Sequence, residues 1–396
     1  MSSPRHGRLR RLGPLRPLFA IIGAALAVLL VSTGSIAAIV VWQVADSFEP
    51  GVDIQANGEA PPPIGAIQGP VNILLVGSDS GGGNEAYGER GENLNDVTIL
   101  LHISPVSHSA IAVSFQRDMY VPIAGCENGN PGTRKINEAL YYGGLACAVS
   151  TVENLTGLEI GYAAKIEFDG VIAMSDAVGG VEVCVGVAIH DLQITFDLEP
   201  GIHSLKGWDA LQFLRSRHGV GDGSDTTRVS NQQLFLSALM RKIKSEGTLT
   251  NPITIYNLAK AAASNMQLST SLSSLDTMAS MALAVKDIPL ANIAFVSYPT
   301  SSTVVNGVGG VKPRAAEAAT LMSAIAADAR IVVTGEPGGG AFAGEDVVET
   351  PTPTPTTSGS PSTAPTAAPP ENVVELPASI NGQAATEQTC TNGNTF

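Results

Sequence analysis

The sequence predicts an α/β protein: a three-layer α/β/α domain with a mixed central sheet, preceded by an N-terminal transmembrane helix. Three observations predict it. Short aliphatic and β-branched runs, VNILLVG, DVTILLHI and SAIAVSF, follow one another closely between residues 71 and 115. Similar runs then alternate with segments of helical period, and such alternation needs a sheet covered by helices on both sides. Ahead of them lies an uncharged stretch of 25 residues, Leu18–Trp42. At about 1.5 Å per residue it is long enough to cross a bilayer core of about 30 Å.

Residues 1–17 contain Arg5, Arg8, Arg10, Arg11 and Arg16 and no acid. Such a flank keeps an N-terminus cytoplasmic, and Trp42 suits the far interface. A cleaved signal peptide normally has an apolar region of only ~7–15 residues, so 18–42 reads as a retained anchor and the rest of the chain as extracellular. Residues 43–70, with Pro61, Pro62 and Pro63, read as a stalk.

The predicted domain spans 71–333. Its first three strands are Val71–Gly77, Asp96–Ile103 and Ser109–Phe115, with a glycine-rich loop from Ser80 to Asn95. KINEALYYGG and AVSTVENLTG read as helices, the second closing on Gly157. A strand at Tyr162–Phe168, a helix ending at Gly179 and Gly180, and a strand VEVCV come next. Ser224–Lys244 is the clearest helix, with Val229, Leu236, Leu239, Met240 and Ile243 near one face. Helical patterns at Pro252–Ala263 and Ser271–Ala284, the strand IAFVSYP and a helix at Arg314–Asp328 complete the domain. Residues 334–370 contain PTPTPTTSGSPSTAPTAAPP, a linker that cannot bury a core, and 371–396 form a tail.

The formal net charge is −14. With the five arginines of residues 1–17 set aside, 17 of the 22 basic residues face 36 acids and the remainder is near −19, which argues against nucleic-acid binding. An even set of cysteines, Cys126, Cys147, Cys184 and Cys390, beyond a membrane suggests disulfides. Cys126 and Cys147 would close a short loop, leaving Cys184 for Cys390, which would fold the tail back on the domain. Their spacing matches no zinc motif.

Against the acidic background, FLRSRHGVGDGSDTTRVSNQQ gathers Arg215, Arg217 and Arg228. Ser224 or Asp225 can cap the helix that follows, which places Arg228 in its first turn. A cation there is unfavourable unless an anion accompanies it. Backbone N–H groups and three guanidiniums would suit a phosphate, while pairing with Asp222 or Asp225 would explain the arginines equally well. Asp79 after the first strand and Asp96 before the second would share one side of the sheet if those strands are neighbours. Together they could hold Mg2+, which commonly takes one or two carboxylates plus phosphate oxygens. Arg117 and Asp118 close the third strand. No Ser-His-Asp arrangement is present, and His102 and His108 read as ordinary core or surface residues.

The succession NILLVGSDS, NDVTILLHIS, SFQRDMYVPI, KINEALYYGG, DAVGGVEV and RSRHG…SDTTRVSNQQ resembles the LytR-CpsA-Psr family of bacterial cell-wall enzymes, over roughly Val71–Lys244. The resemblance implies an α/β/α fold and transfer of a glycopolymer from a polyprenyl-pyrophosphate carrier to peptidoglycan through a phosphodiester. Pyrophosphatase action is an associated activity. It implies Asp79 and Asp96 as Mg2+ carboxylates, and Arg117, Arg215, Arg217 and Arg228 as a pyrophosphate clamp. Asp118 would orient Arg117 or assist proton transfer, and Lys135 and Gln233 would lie near the substrate. A lipid carrier also implies an apolar channel, for which Leu236, Leu239 and Met240 are candidates.

Two positions depart from the family pattern. Gly81 and Leu94 stand where many members have arginine, and Arg90 in the glycine-rich loop is the candidate replacement. Fewer cations leave two alternatives open beside transfer: hydrolysis of the carrier without transfer, or a wall-polymer or lipid-binding protein without turnover.

Overall fold

The computed structural model describes residues 50–54, 69–80, 93–126, 129, 131–245, 248, 251–273, 275–344 and 372–394, with scattered residues between 19 and 43. Residues 1–47 and 48–396 form separate units. In the first, the described residues are helical, and Phe19, Leu26, Val28 and Val31 are exposed. The expected transmembrane span falls largely outside the described residues, and no helix among those described is long and apolar enough to cross a membrane.

The second unit begins with β1 (Val71–Ser78), β2 (Asn95–Ser104), β3 (Ser109–Phe115), β4 (Tyr120–Ile123), β5 (Gly132–Lys135) and α1 (Ala139–Thr156). It continues with β6 (Tyr162–Ile166), α2 (Phe168–Ala177), β7 (Val181–Val187), β8 (Ile189–Asp191), β9 (Phe196–Leu198), β10 (Gly201–Leu205), α3 (Gly207–Arg215) and α4 (Asp225–Lys244). Then come α5 (Pro252–Asn265), β11 (Met266–Leu268), α6 (Leu275–Asp287), β12 (Ile293–Ser297), β13 (Thr300–Val305), β14 (Val308–Pro313) and α7 (Ala315–Ala326). Short strands close the chain: β15 (Arg330–Val332), β16 (Ala341–Ala343), β17 (Val373–Glu375), β18 (Gly382–Ala384) and β19 (Thr389–Asn392).

The central sheet has the order β11-β6-β1-β2-β3-β12-β18. β1 runs parallel to β6, and β3 to β12, while the other pairs are antiparallel, so the sheet is mixed. Alternation along β1 sends Leu74 and Val76 to one core and Ile73 and Leu75 to the other. The first core is covered by α1 and α7, the second by α4 and α6, and both faces therefore read as continuous apolar runs. A second sheet, β10-β7-β19-β16, packs on α3 and α4 around a third core. Helix α4 lies between the sheets. Its Leu236 and Met240 meet the central sheet, whereas Leu239 and Ile243 meet the third core, so the single apolar face expected of this helix is divided between two partners.

Local signals act where expected. Ser224 caps α4, its hydroxyl accepting the Thr227 N–H, and Gly157 ends α1 with φ 72°. The YYGG pair breaks helical geometry at Gly143 and Gly144. Cys126 bonds Cys147 and Cys184 bonds Cys390.

Domain edges differ from expectation. Val52, in the expected stalk, bridges Ser269 beside β11, and Ile54 is buried. Residues 334–344, assigned to the linker, supply β16, and the 371–396 tail supplies β17, β18 and β19, with β18 closing one edge of the central sheet. The expected strand Tyr162–Phe168 ends at Ile166 because Phe168 opens α2. Lys135, expected in a helix, ends β5.

At the far end of the sheet, His102 is buried between Asn72 Oδ1 at 2.8 Å and Asp328 Oδ1 at 3.3 Å. Burial lowers its pKa and Asp328 only partly offsets this, so the folded imidazole is neutral where the unfolded one begins to protonate. Its contribution is complete above the unfolded value of about 6.5 and is lost as pH falls below it. Urea unfolding of wild type and His102→Asn at pH 7 and 5.5 is expected to show a smaller loss of stability on acidification in the variant.

Candidate active site

β1, β3 and β6 finish, and β2 starts, at the same end of the sheet, where ligands of open α/β sheets commonly bind. The strand ends and loops there carry Asp79, Asp96, Arg117 and Glu167. Gly77 pairs with Val97 and Ser78 with Asn95, so Asp96 is the extra residue of a β-bulge, a device that re-aims a side chain. A Cβ on Gly77 would sit 2.9 Å from Val97 Cβ, which shows how closely the strands meet at this point.

Arg117 Nη1 donates to Asp96 Oδ1 at 2.6 Å, and its backbone N–H donates to Asp225 Oδ2 at 3.1 Å. Arg228, 5% exposed, donates from Nη2 to the Asp96 carbonyl at 3.0 Å. The same Nη2 lies 2.7 Å from Asp225 Oδ1 in an ion pair that is close yet off the hydrogen-bond direction. Nε of Arg117 and Nε of Arg228 are buried with no hydrogen-bond acceptor among the described residues, a demand that an anion would meet. Burial opposes the charge on Arg117, but Asp96 first, then Asp118 and Asp225, raise its pKa. Asp118 is pushed up by burial and drawn down further by the Lys135 hydrogen bond and by the charges of Arg117, Lys135 and Arg217, so its pKa falls below the ordinary value.

Of the other arginines, Arg215 ends α3 and Arg217 lies in the loop between α3 and α4. Arg215 stacks on Phe168 with its guanidinium carbon 4.7 Å from the ring centre and donates to Gln212 Oε1. Arg217 Nε donates to the Gly223 carbonyl at 2.9 Å. Beneath this loop, Asp191 Oδ2 accepts from Ser216 Oγ and from the N–H groups of Arg217, His218 and Gly219, at 2.9 to 3.2 Å. Burial raises the Asp191 pKa and these bonds outweigh it, leaving it below the ordinary value.

Behind these charges lies a cavity of about 420 Å³. Arg117, Arg215, Arg217 and Arg228 line it together with Asp96, and so do Leu75, Phe168, Val171, Leu211, Leu236 and Leu239, which make much of the lining apolar. Of the three expected channel residues, Leu236 and Leu239 line it; Met240 packs in the adjoining core.

The remaining expected residues divide. Asp79 Oδ1 accepts the Leu94 N–H at 3.2 Å, tying the β1 end to the β2 start. Lys135 reaches Asp118 at 2.8 Å and acts on the site through it. Gln233 is not among the residues lining the cavity: it is buried, its Nε2 donates to Ser297 Oγ at the end of β12, and the neighbouring Gln232 lines the cavity. Arg90 and Gly81 lie outside the described residues. Asp191, Glu167 and Phe168 are additions that the sequence reading missed. Asp225, read in the sequence as a cap or as an acid that pairs with the arginines, does pair with Arg228, three residues further along the helix.

Asp79 and Asp96, the carboxylates expected to hold a metal, stand at adjoining strand ends, and among the described residues no three His, Cys, Asp or Glu side chains converge.

The LytR_cpsA_psr family matches residues 45–325. Cell wall biosynthesis protein LcpA of Corynebacterium glutamicum is 29% identical over 282 residues, which cover 62% of this chain and 52% of LcpA. Polyisoprenyl-teichoic acid–peptidoglycan teichoic acid transferase TagU of Enterococcus faecalis is 28% identical over 236 residues, covering 60% of this chain and 74% of TagU. A solved structure of the LytR-CPS2A-psr family protein YwtF (TagT) with bound octaprenyl pyrophosphate lipid shares the fold at a TM-score of 0.51 and 20% identity, over 71% of this chain and 99% of that one. The chain spans about half the length of several curated relatives that it matches, LcpA among them. Since the family match covers well over half of its residues, the chain belongs to the LytR-CpsA-Psr family.

Proposed function

We propose that the protein is an extracytoplasmic phosphotransferase that moves a glycopolymer from a polyprenyl-pyrophosphate carrier onto peptidoglycan. The observation that carries this reading is the union, in the lining of one cavity, of many apolar side chains and four arginines. An isoprenoid chain and its pyrophosphate head are two halves of one ligand with these two requirements. The names of TagU and of the lipid-bound YwtF structure add support, since they describe polyisoprenyl substrates and an octaprenyl pyrophosphate ligand.

In the proposed reaction an acceptor sugar hydroxyl attacks the phosphorus nearest the polymer. The new P–O bond forms as the bridging P–O bond breaks, polyprenyl phosphate leaves, and the hydroxyl proton passes to solvent. Arg117 and Arg228 line the cavity and present guanidinium donors to the phosphates, and Arg215 and Arg217 complete the neutralisation. Asp118, with its lowered pKa and its contacts to Lys135 and Arg117, orients Arg117 and is a poor proton acceptor at neutral pH. Asp79 and Asp96 would hold Mg2+, which supplies further charge neutralisation to the phosphates. Water in place of the sugar would give the pyrophosphatase side reaction.

The domain is proposed to work outside the cell membrane, anchored by the 18–42 stretch. The two disulfides favour an oxidising compartment.

Filling the cavity tests the lipid half of this reading. Val171→Trp is expected to raise KM for a long-chain polyprenyl-pyrophosphate glycan by about tenfold or more, since each buried CH2 contributes about 0.8 kcal/mol. Affinity for inorganic pyrophosphate should stay unchanged. Equal KM values for long-chain substrate in wild type and variant would remove the cavity from the account.

A further inference from the structure

We propose that the segment 389–394 is a positioning part of the active site, holding the loop that carries Arg217 in register. The proposal rests on the pyrophosphate-binding reading above. Residues 217–223 form a loop with no regular structure of its own, gripped from two sides. On one side Asp191 takes its first N–H groups. On the other, Gly221 N–H donates to the Asn392 carbonyl at 2.7 Å and Asn394 N–H donates to the Gly219 carbonyl at 2.8 Å. Val220 and Gly393 thus form an antiparallel bridge.

The segment also packs tightly on the end of β7: a Cβ on Gly393 would fall 2.0 Å from the Ala188 carbonyl oxygen, and in the loop Gly221, at φ 52°, adopts the left-handed backbone that glycine tolerates. The segment itself is fixed to the fold independently of the loop. Cys390 stands opposite Cys184 in the β19–β7 ladder and is covalently bonded to it. Asn392 N–H also donates to the Gly340 carbonyl at 3.0 Å. A rigid strand distant in sequence therefore sets the loop from which Arg217 reaches the cavity. The Arg217 guanidinium closes the arrangement by donating to Gly223 at the loop's other end.

The test compares the full chain in detergent with Asn394→Pro, which removes the amide donating to Gly219, and with a truncation after Thr391, which also removes the Asn392 carbonyl. Both keep Cys390 and its disulfide. Amide exchange at 217–223 is expected to accelerate about tenfold, with β2 and β3 unchanged. Affinity for inorganic pyrophosphate should fall about tenfold, as one phosphate-binding guanidinium loses its fixed position, and kcat/KM for the lipid-linked substrate should fall with it. Faster exchange with unchanged pyrophosphate affinity and turnover would overturn the proposal. If the truncation unfolds, Asn394→Pro decides between the same two outcomes. A full chain that binds pyrophosphate but transfers nothing, with binding weakened in the variants, would sink the transferase reading and leave the positioning role intact.

Discussion

Arg117→Ala is expected to lower kcat on a polyprenyl-pyrophosphate glycan by about 10²- to 10³-fold, the range seen when a preorganised donor to developing charge is removed. The reason lies in what Arg117 organises. Its Nη1 holds Asp96 at 2.6 Å, its backbone N–H holds Asp225, and its buried Nε has no acceptor among the described residues. The side chain is thus held in place by carboxylates while a donor is left for a phosphate. Arg117→Lys should recover only part of the rate, because an ammonium supplies the charge without the planar fork that spans Asp96 and a phosphate at once. Steady-state kinetics, paired with thermal unfolding to confirm folding, checks both variants. Rates within threefold of wild type for Arg117→Ala would remove this residue from the chemistry.

Asp225→Ala carries the second large effect, and it is an effect on stability as well as rate. The Asp225 and Arg228 side chains are only 9% and 6% exposed, and Asp225 also accepts the Arg117 N–H. Removing one partner of a buried pair leaves the other charge uncompensated, which typically costs about 3–5 kcal/mol. Arg228 keeps its contacts to Asp96, so the lower end, about 3 kcal/mol, is expected here. Asp225→Asn should lose less stability, because its amide oxygen can still accept from Arg117. Urea denaturation of the three proteins at neutral pH measures the ordering, and a smaller loss for alanine than for asparagine would contradict it.

Much of the central sheet is legible in the sequence because its strands are long and apolar on both faces. β1, β2 and β3 are visible as aliphatic runs that need no partner to be recognised. The break at Gly143–Gly144 and the Ser224 cap follow from chemistry local to a few residues, and the cysteine pairings from four cysteines of which two close a short loop. Of the second sheet only β7 is legible, as VEVCV: β16 has three residues, too short to show a period, and β19 pairs with β7 across some two hundred positions. Asp191 escapes notice for the same reason, since its role depends on a loop 25 to 28 residues further on. Gln233 shows the converse. A motif position fixes a residue on a helix, and whether it meets the cavity or, like Gln233, the end of β12 depends on how that helix lies across the central sheet.

The central claim is group transfer at a pyrophosphate held by the arginine-lined cavity, and one measurement tests it most directly. The full-length protein in detergent is incubated with Mg2+, a polyprenyl-pyrophosphate glycan and peptidoglycan fragments, and the products are resolved by mass spectrometry. The account predicts glycan joined to peptidoglycan through a phosphodiester, with one polyprenyl phosphate released for each linkage formed. Release of polyprenyl phosphate with no linked product, or binding of the carrier with neither product, would contradict it.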